Sequence, residues 1–169
     1  ATLENHLLDL SDSFSTTETA AYLPALVKNN TVDGRLIAIP WYLDIGMLYY
    51  RTDLLQKHGF PDPPATWDEL TTMAEAIVSA ERRDGNSTLW GYVFQGRAYE
   101  GLTCNALEWQ VAESGGRIVE ADGHVAVNTP GAIKAFDRAA SWVGNISPPG
   151  VTMYAEEEVR QMFQTGNAV

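Results

Sequence analysis

A single cysteine, Cys104, stands among the 169 residues, so no disulfide forms within the chain and cysteine usage leaves the redox compartment open. The three histidines, His6, His58 and His124, are scattered, and neither HxxxH nor CxxC spacing occurs, which argues against a zinc site. Glu120 to Gly123 (EADG) is the nearest approach to a calcium loop and lacks the remaining ligands. Without GxxxxGK or GxGxxG there is no glycine-rich cradle for a phosphate. The sequence calls for neither metal nor cofactor. Basic residues are few, 11 against 22 acidic, for a net charge of −11. That balance repels nucleic acid and offers no polybasic segment to anionic lipid. No run approaches the roughly 18 apolar residues of a membrane span, and internal repeats and low-complexity segments are absent.

What is present reads as alternating helices and short strands. Ser11-Asp12-Ser13 is turn chemistry, and Ala20 to Val27 has helical spacing interrupted by Pro24, which predicts a short or broken helix. Asp33-Gly34 predicts a tight turn into a strand over Arg35 to Ile39, with Pro40 ending its ladder. Thr52-Asp53 starts a helix that Gly59 closes. Thr66 to Glu69 is a capping box, followed by a helix to about Glu81 with Leu70, Met73, Ala74, Ile77 and Val78 on one stripe. Leu89 to Phe94 is apolar enough for a buried parallel strand. The next helix runs from Tyr99 to about Ser114, with Leu102, Ala106, Leu107, Trp109 and Val111 as candidate core and Cys104 as a small core residue. Asp122-Gly123 predicts a hairpin between Arg117 to Val119 and His124 to Val127. Thr129-Pro130 caps a helix whose apolar face is Ile133, Phe136, Ala140 and Val143. A final helix covers Glu156 to Gln164, with acids in its first turn as the macrodipole favours. Trp109, Trp142 and Phe136 read as core.

The chemistry concentrates in one stretch, Asp33 to Gln56. Asp44 lies inside a run of aromatic and aliphatic residues, Trp41 to Tyr50, where an ionised carboxylate is costly unless something hydrogen-bonds it. Along a strand Tyr42 and Asp44 share a face, and Trp41 takes the other, toward either core or cleft. A ring that covers a C–H face beside a carboxylate that accepts from hydroxyls is a common way to hold a sugar. The alternative is an ordinary strand whose Asp makes a turn or a salt bridge. Ligands of open α/β sheets bind outside the carboxyl ends of strands, so Gln95, Arg97, Tyr99 and Glu100 form the second candidate group.

The stretches DGRLIAIPWYLDIGMLYYRTDLLQKHG, PPATWDEL, FQGRAYEGLTCNALEW, the Gly115-Gly116 pair, NTPGAIKAFDRAASWV and EEEVRQMFQTGNAV, in that order, resemble the maltose- and trehalose-type extracellular solute-binding proteins. Those are the sugar receptors of ABC importers. The resemblance implies a periplasmic-binding-protein-like α/β fold, mostly the second of two lobes plus a piece of the first and a crossover strand. It divides the chain into a first-lobe segment over 1–43 and a second-lobe segment over 44–169, both expected to be incomplete. It places Ile39 to Gly46 on the first crossover, with Tyr42 and Asp44 where the family touches its sugar. The implied partners are a small sugar and a membrane permease, in an extracytoplasmic location, with no chemistry performed. Two rival readings stay open beside it: a glycosidase using Asp44 and Glu100, and a receptor for another solute such as an oligosaccharide or a polyol phosphate.

Overall fold

Side-chain oxygens mark where several helices begin, because the first amides of a helix have no partner within it. The computed structural model describes residues 3–120 and 122–169, which form two compact units, one up to Ile45 and one from Gly46 to Val169. In the first unit a 3-10 turn, Glu4–His6, precedes α1 (Thr16–Thr19) and α2 (Pro24–Asn29). Ser15 accepts from the Glu18 amide while Glu18 reaches back to the Ser15 amide, a complete capping box. Pro24 takes the first position of α2, so the proline read as a break is a helix start. The turn at Ser11–Ser13 closes through Ser13 N donating to Leu10 O at 2.9 Å.

Two strands follow, β1 (Thr31–Val32) and β2 (Arg35–Leu36), paired antiparallel. Asp33 and Gly34 link them with φ of 49° and 78°, the left-handed pair that a two-residue hairpin requires and that Asp-Gly supplies. The strand expected over Arg35 to Ile39 is thus only two residues long. Its partner begins directly after α2, and beyond the Ile37 amide, which donates to Asn30 O at 2.9 Å, no further ladder hydrogen bond extends it among the described residues. Residues 37–50 belong to no helix or strand and join no ladder among the described residues.

The second unit holds α3 (Thr52–Lys57), α4 (Trp67–Arg83), α5 (Glu100–Ala112), α6 (Pro130–Trp142), a 3-10 turn at Pro149–Met153 and α7 (Glu156–Gln164). Thr66 caps α4 by accepting from the Glu69 amide, and Thr129 caps α6 by accepting from the Ala132 amide. Leu70, Ala74, Ile77 and Val78 form the buried stripe of α4, with Met73 half-buried at its edge. Leu54 and Leu55 of α3 pack against Ile77 and Leu89. The hairpin after Gly116 forms as expected, with Glu120 N donating to His124 O at 2.8 Å and Ala126 N to Ile118 O at 3.0 Å; Ala121 lies outside the described residues.

The main core is aromatic. Trp142, fully buried, meets the rings of Trp67, Tyr92 and Trp109 at centroid distances of 5.7, 5.2 and 5.6 Å. Its indole N–H donates to Thr71 Oγ1 at 2.7 Å, and that hydroxyl donates onward to Trp67 O at 2.9 Å, so the burial leaves this donor satisfied.

Four expectations are corrected here. The Leu89 to Phe94 strand reduces to a single parallel bridge between Trp90 and Ala168; the Gly91 and Tyr92 amides both turn to Ile146 O, at 2.8 and 3.0 Å, which carries the chain off the ladder. The buried face of α6 is Ala132, Ala135, Ala139 and Trp142, while Ile133 and Ala140 are exposed and Phe136 and Val143 half-buried. Close packing of α6 on the end of α5 decides this: a Cβ on Gly115 would lie 2.6 Å from the Ala132 nitrogen, so only small residues fit between the helices. On α5, Trp109 is buried and Leu102 and Ala106 pack half-buried, but Leu107 and Val111 are exposed. Cys104 shares that outer face and is exposed too, not a core residue.

Candidate functional site

The loop 95–98 is clamped from two sides. Asn105 of α5 donates through Nδ2 to Gln95 Oε1 at 2.7 Å, and the Arg97 amide donates to Tyr154 O at 3.1 Å. Gly96 passes so close to the Val151 carbonyl that a Cβ there would overlap the oxygen. Tyr99 begins α5, its amide donating to Arg97 O at 2.9 Å, and the Arg97 guanidinium stands 5.9 Å from the Tyr99 ring centre. Burial, together with the Glu156 and Glu100 carboxylates, pushes the Tyr99 hydroxyl up to about 12. Glu100, in the first turn of α5, accepts from the Cys104 thiol at 3.3 Å.

Gln95, Arg97, Tyr99 and Glu100 therefore form one local cluster in the second unit, combining amide donors, a cation, a phenol and a carboxylate. Trp41, Tyr42 and Asp44 lie in the first unit on the run that joins no ladder among the described residues, all exposed, Trp41 at 94% and Tyr42 at 76%. Since no ladder forms there among the described residues, pairing does not impose the strand alternation expected for Tyr42 and Asp44. Two residues in the second unit were missed from sequence. Asn105 reads as an ordinary helix residue until its contact with Gln95 is seen. Glu108 leans on Gly46, occupying the space a Cβ would need, and its partial desolvation raises its carboxyl above the ordinary value. Nothing in the spacing of α5 marks either.

Elsewhere the charges serve structure. Arg138, buried on α6, bonds Asp68 at 2.9 Å and Glu113 through its other nitrogen, and Lys134 bonds Glu113 at 2.9 Å. Glu81, also buried, accepts from Lys57 at 2.5 Å and faces His58 at 2.7 Å. Among the described residues no group of three or more His, Cys, Asp or Glu is arranged to hold a metal ion, and no helix is long and apolar enough to cross a membrane.

Residues 3–169 match the family model of the bacterial extracellular solute-binding proteins, and the chain belongs to that family. A probable ABC transporter-binding protein of Deinococcus radiodurans is 52% identical over 163 residues, covering 96% of this chain and 39% of that protein. Maltose-bound MalE3 of T. maritima is 41% identical and superposes with a TM-score of 0.85 over 96% of this chain and 40% of its own. A mannitol-binding protein of Pseudomonas aeruginosa is 28% identical over 155 residues, 85% of this chain and 32% of that protein. The chain thus has the periplasmic-binding-protein α/β fold over a stretch that spans 39% of the Deinococcus relative's length.

Proposed function

We infer that this chain is part of the solute-binding component of an ABC importer, a two-lobed receptor that closes on a sugar and delivers it to a membrane permease. The observation that carries the reading is the likeness to a maltose-bound receptor at 41% identity over nearly the whole chain. The proposed ligand is an α-linked glucose disaccharide, maltose first and trehalose next. A polyol is the second reading, favoured by the likeness to a mannitol-binding protein. In this proposal residues up to about 43 belong to one lobe and those from about 44 to the other, and the receptor works outside the cytoplasm.

Each candidate residue then has a role. Asp44 accepts from two sugar hydroxyls, Tyr42 and Trp41 cover C–H faces, and Tyr99 and Glu100 with Gln95 and Arg97 supply donors and acceptors at the α5 end. Aromatic stacking and hydroxyl hydrogen bonds favour the closed state, and the permease reads that state. No bond is made or broken in this scheme. The test is a tryptophan-fluorescence titration of the full-length protein with maltose, trehalose and mannitol, with sugar products assayed in the same samples. A saturable change without turnover is expected. Hydrolysis of the disaccharide would replace the receptor with an enzyme, and a flat response to all three would remove the sugar reading.

A further inference from the structure

The loop at 95–98 contains an amide whose direction is decided by its neighbours. Asn105 Nδ2 lies 2.7 Å from Gln95 Oε1 and 3.4 Å from the main-chain carbonyl oxygen of Gln95. A main-chain carbonyl only accepts, so the end of Asn105 that faces it is the amide nitrogen. That nitrogen carries two N–H bonds, one for each oxygen, and the end of Gln95 that faces it is therefore the side-chain oxygen. Turning either amide around would set oxygen against oxygen or N–H against N–H. The other end of Gln95, Nε2, has no hydrogen-bond partner among the described residues and is not a buried atom left without one. Gln95 thus offers two outward donors, on a loop held by the Arg97 to Tyr154 hydrogen bond and by the Val151 carbonyl against Gly96.

We propose that Asn105 is a positioning residue that locks the Gln95 amide with its N–H bonds outward, so that this position takes an acceptor oxygen of the solute, ether or hydroxyl, and disfavours an ammonium. The proposal rests on the sugar-binding reading and adds to it the direction of one hydrogen bond. A carboxylate in place of the Asn105 amide only accepts, so Asn105→Asp would draw Gln95 Nε2 inward and turn its oxygen to the solute.

The experiment titrates maltose, trehalose and mannitol against the full-length protein, Gln95→Ala, Asn105→Asp and the double variant, with thermal midpoints measured alongside. Each single variant should weaken binding by roughly 3- to 10-fold, the range for one neutral hydrogen bond. The double variant should bind no more weakly than Gln95→Ala alone. If Asn105→Asp costs as much again in the Gln95→Ala background, Asn105 acts through the helix and the proposal fails. It fails equally if Asn105→Asp binds normally while Gln95→Ala does not. Normal binding by Gln95→Ala takes Gln95 off the solute and overturns the proposal while leaving the sugar reading intact, whereas a wild-type protein that binds none of the three sugars overturns that reading first. Side-chain amide NMR checks the geometry without ligand: the Asn105 N–H protons should exchange slowly and those of Gln95 fast, and the reverse pattern would rule the arrangement out.

Discussion

Trp41 is 94% exposed and Trp142 is fully buried, although each stands in a segment rich in aromatic and aliphatic residues. Around Trp142 three helices and the 89–94 segment close on one another: Trp109 of α5 meets Trp142 of α6 and Phe94 edge to face at 5.6 and 5.1 Å, and Trp67 of α4 lies tilted against Trp142 at 5.7 Å. Over 41–50 the chain forms no helix or strand, its side chains are exposed and its main chain joins no ladder among the described residues. Both regions are rich in apolar residues; what differs is the opposing surface. Burial of an aromatic stabilises only when other elements arrive to exclude water from both its faces. A long bare run with an unpaired backbone edge is a surface that a larger assembly covers or a ligand uses. In the proposed receptor both apply to 41–50.

The comparison can be broken first at its extremes. Trp142→Ala should lower the stability of the full-length protein by about 3–5 kcal/mol, because it removes the hub of the aromatic core and leaves a large cavity, whereas Trp41→Ala should change it by less than about 0.5 kcal/mol. Denaturant melts of the two variants read this, and similar costs would mean that the bare run is covered in the native state by something that depends on Trp41. Asp44→Ala should reverse the ranking for ligand: a loss of about 1.5–3 kcal/mol of maltose affinity by titration, the range for hydrogen bonds to a charged group, with the melt unchanged. Unaltered affinity would take Asp44 out of the site.

Glycines sharpen the same contrast. Gly115→Ala drives a methyl against the Ala132 main chain and should cost about 1–3 kcal/mol of stability, while Gly46→Ala meets only the flexible end of Glu108 and should cost less. Equal melts for the two variants would show that α5 and α6 are not tightly apposed. The smallest effect is on pH dependence. Hydrogen bonds from Lys57 and then His58 hold Glu81 below the ordinary carboxyl value of 4.5, and Lys134 and Arg138 do the same for Glu113. Groups depressed in the folded state contribute stability above that value and lose it as pH falls through their lowered ones. Melts from pH 6 to pH 3 should decline below about 4.5, and Glu113→Gln should flatten that decline. A slope unchanged by Glu113→Gln would place the acid sensitivity elsewhere.

Much of this was legible in the residues. Thr66 and Thr129 caps, Pro130 as a helix start, the Asp33-Gly34 turn and the Asp122-Gly123 hairpin rest on chemistry that acts within four or five positions, so spacing alone reveals them, whereas Pro24, read as a break, starts a helix. The face of α6 was misread by one position. Size pointed to Ile133, Phe136 and Val143, but the closeness of Gly115 requires alanine there, and a long-range approach leaves no mark on a single helix. α5 misled for a different reason. Its apolar and polar residues are spread evenly around the helix, so its sequence names no stripe, and only packing sends Trp109 inward while Cys104, Leu107 and Val111 stay out. Of the candidate site, Gln95, Arg97, Tyr99 and Glu100 were picked as candidates from their place after an apolar segment, and they lie together on one loop and helix start. Asn105 was missed, because its role is a hydrogen bond ten positions back along the chain.

The sequence by itself determined the helix starts and turns, the absence of metal-ligand patterns, and the family likeness carried by six stretches in order. Tertiary structure alone decided which aromatic residues are buried, which face of each helix is inside, and which way the Gln95 amide points. The division follows range: capping and turn chemistry act through neighbouring peptide groups, whereas burial and side-chain orientation depend on surfaces brought together from distant parts of the chain.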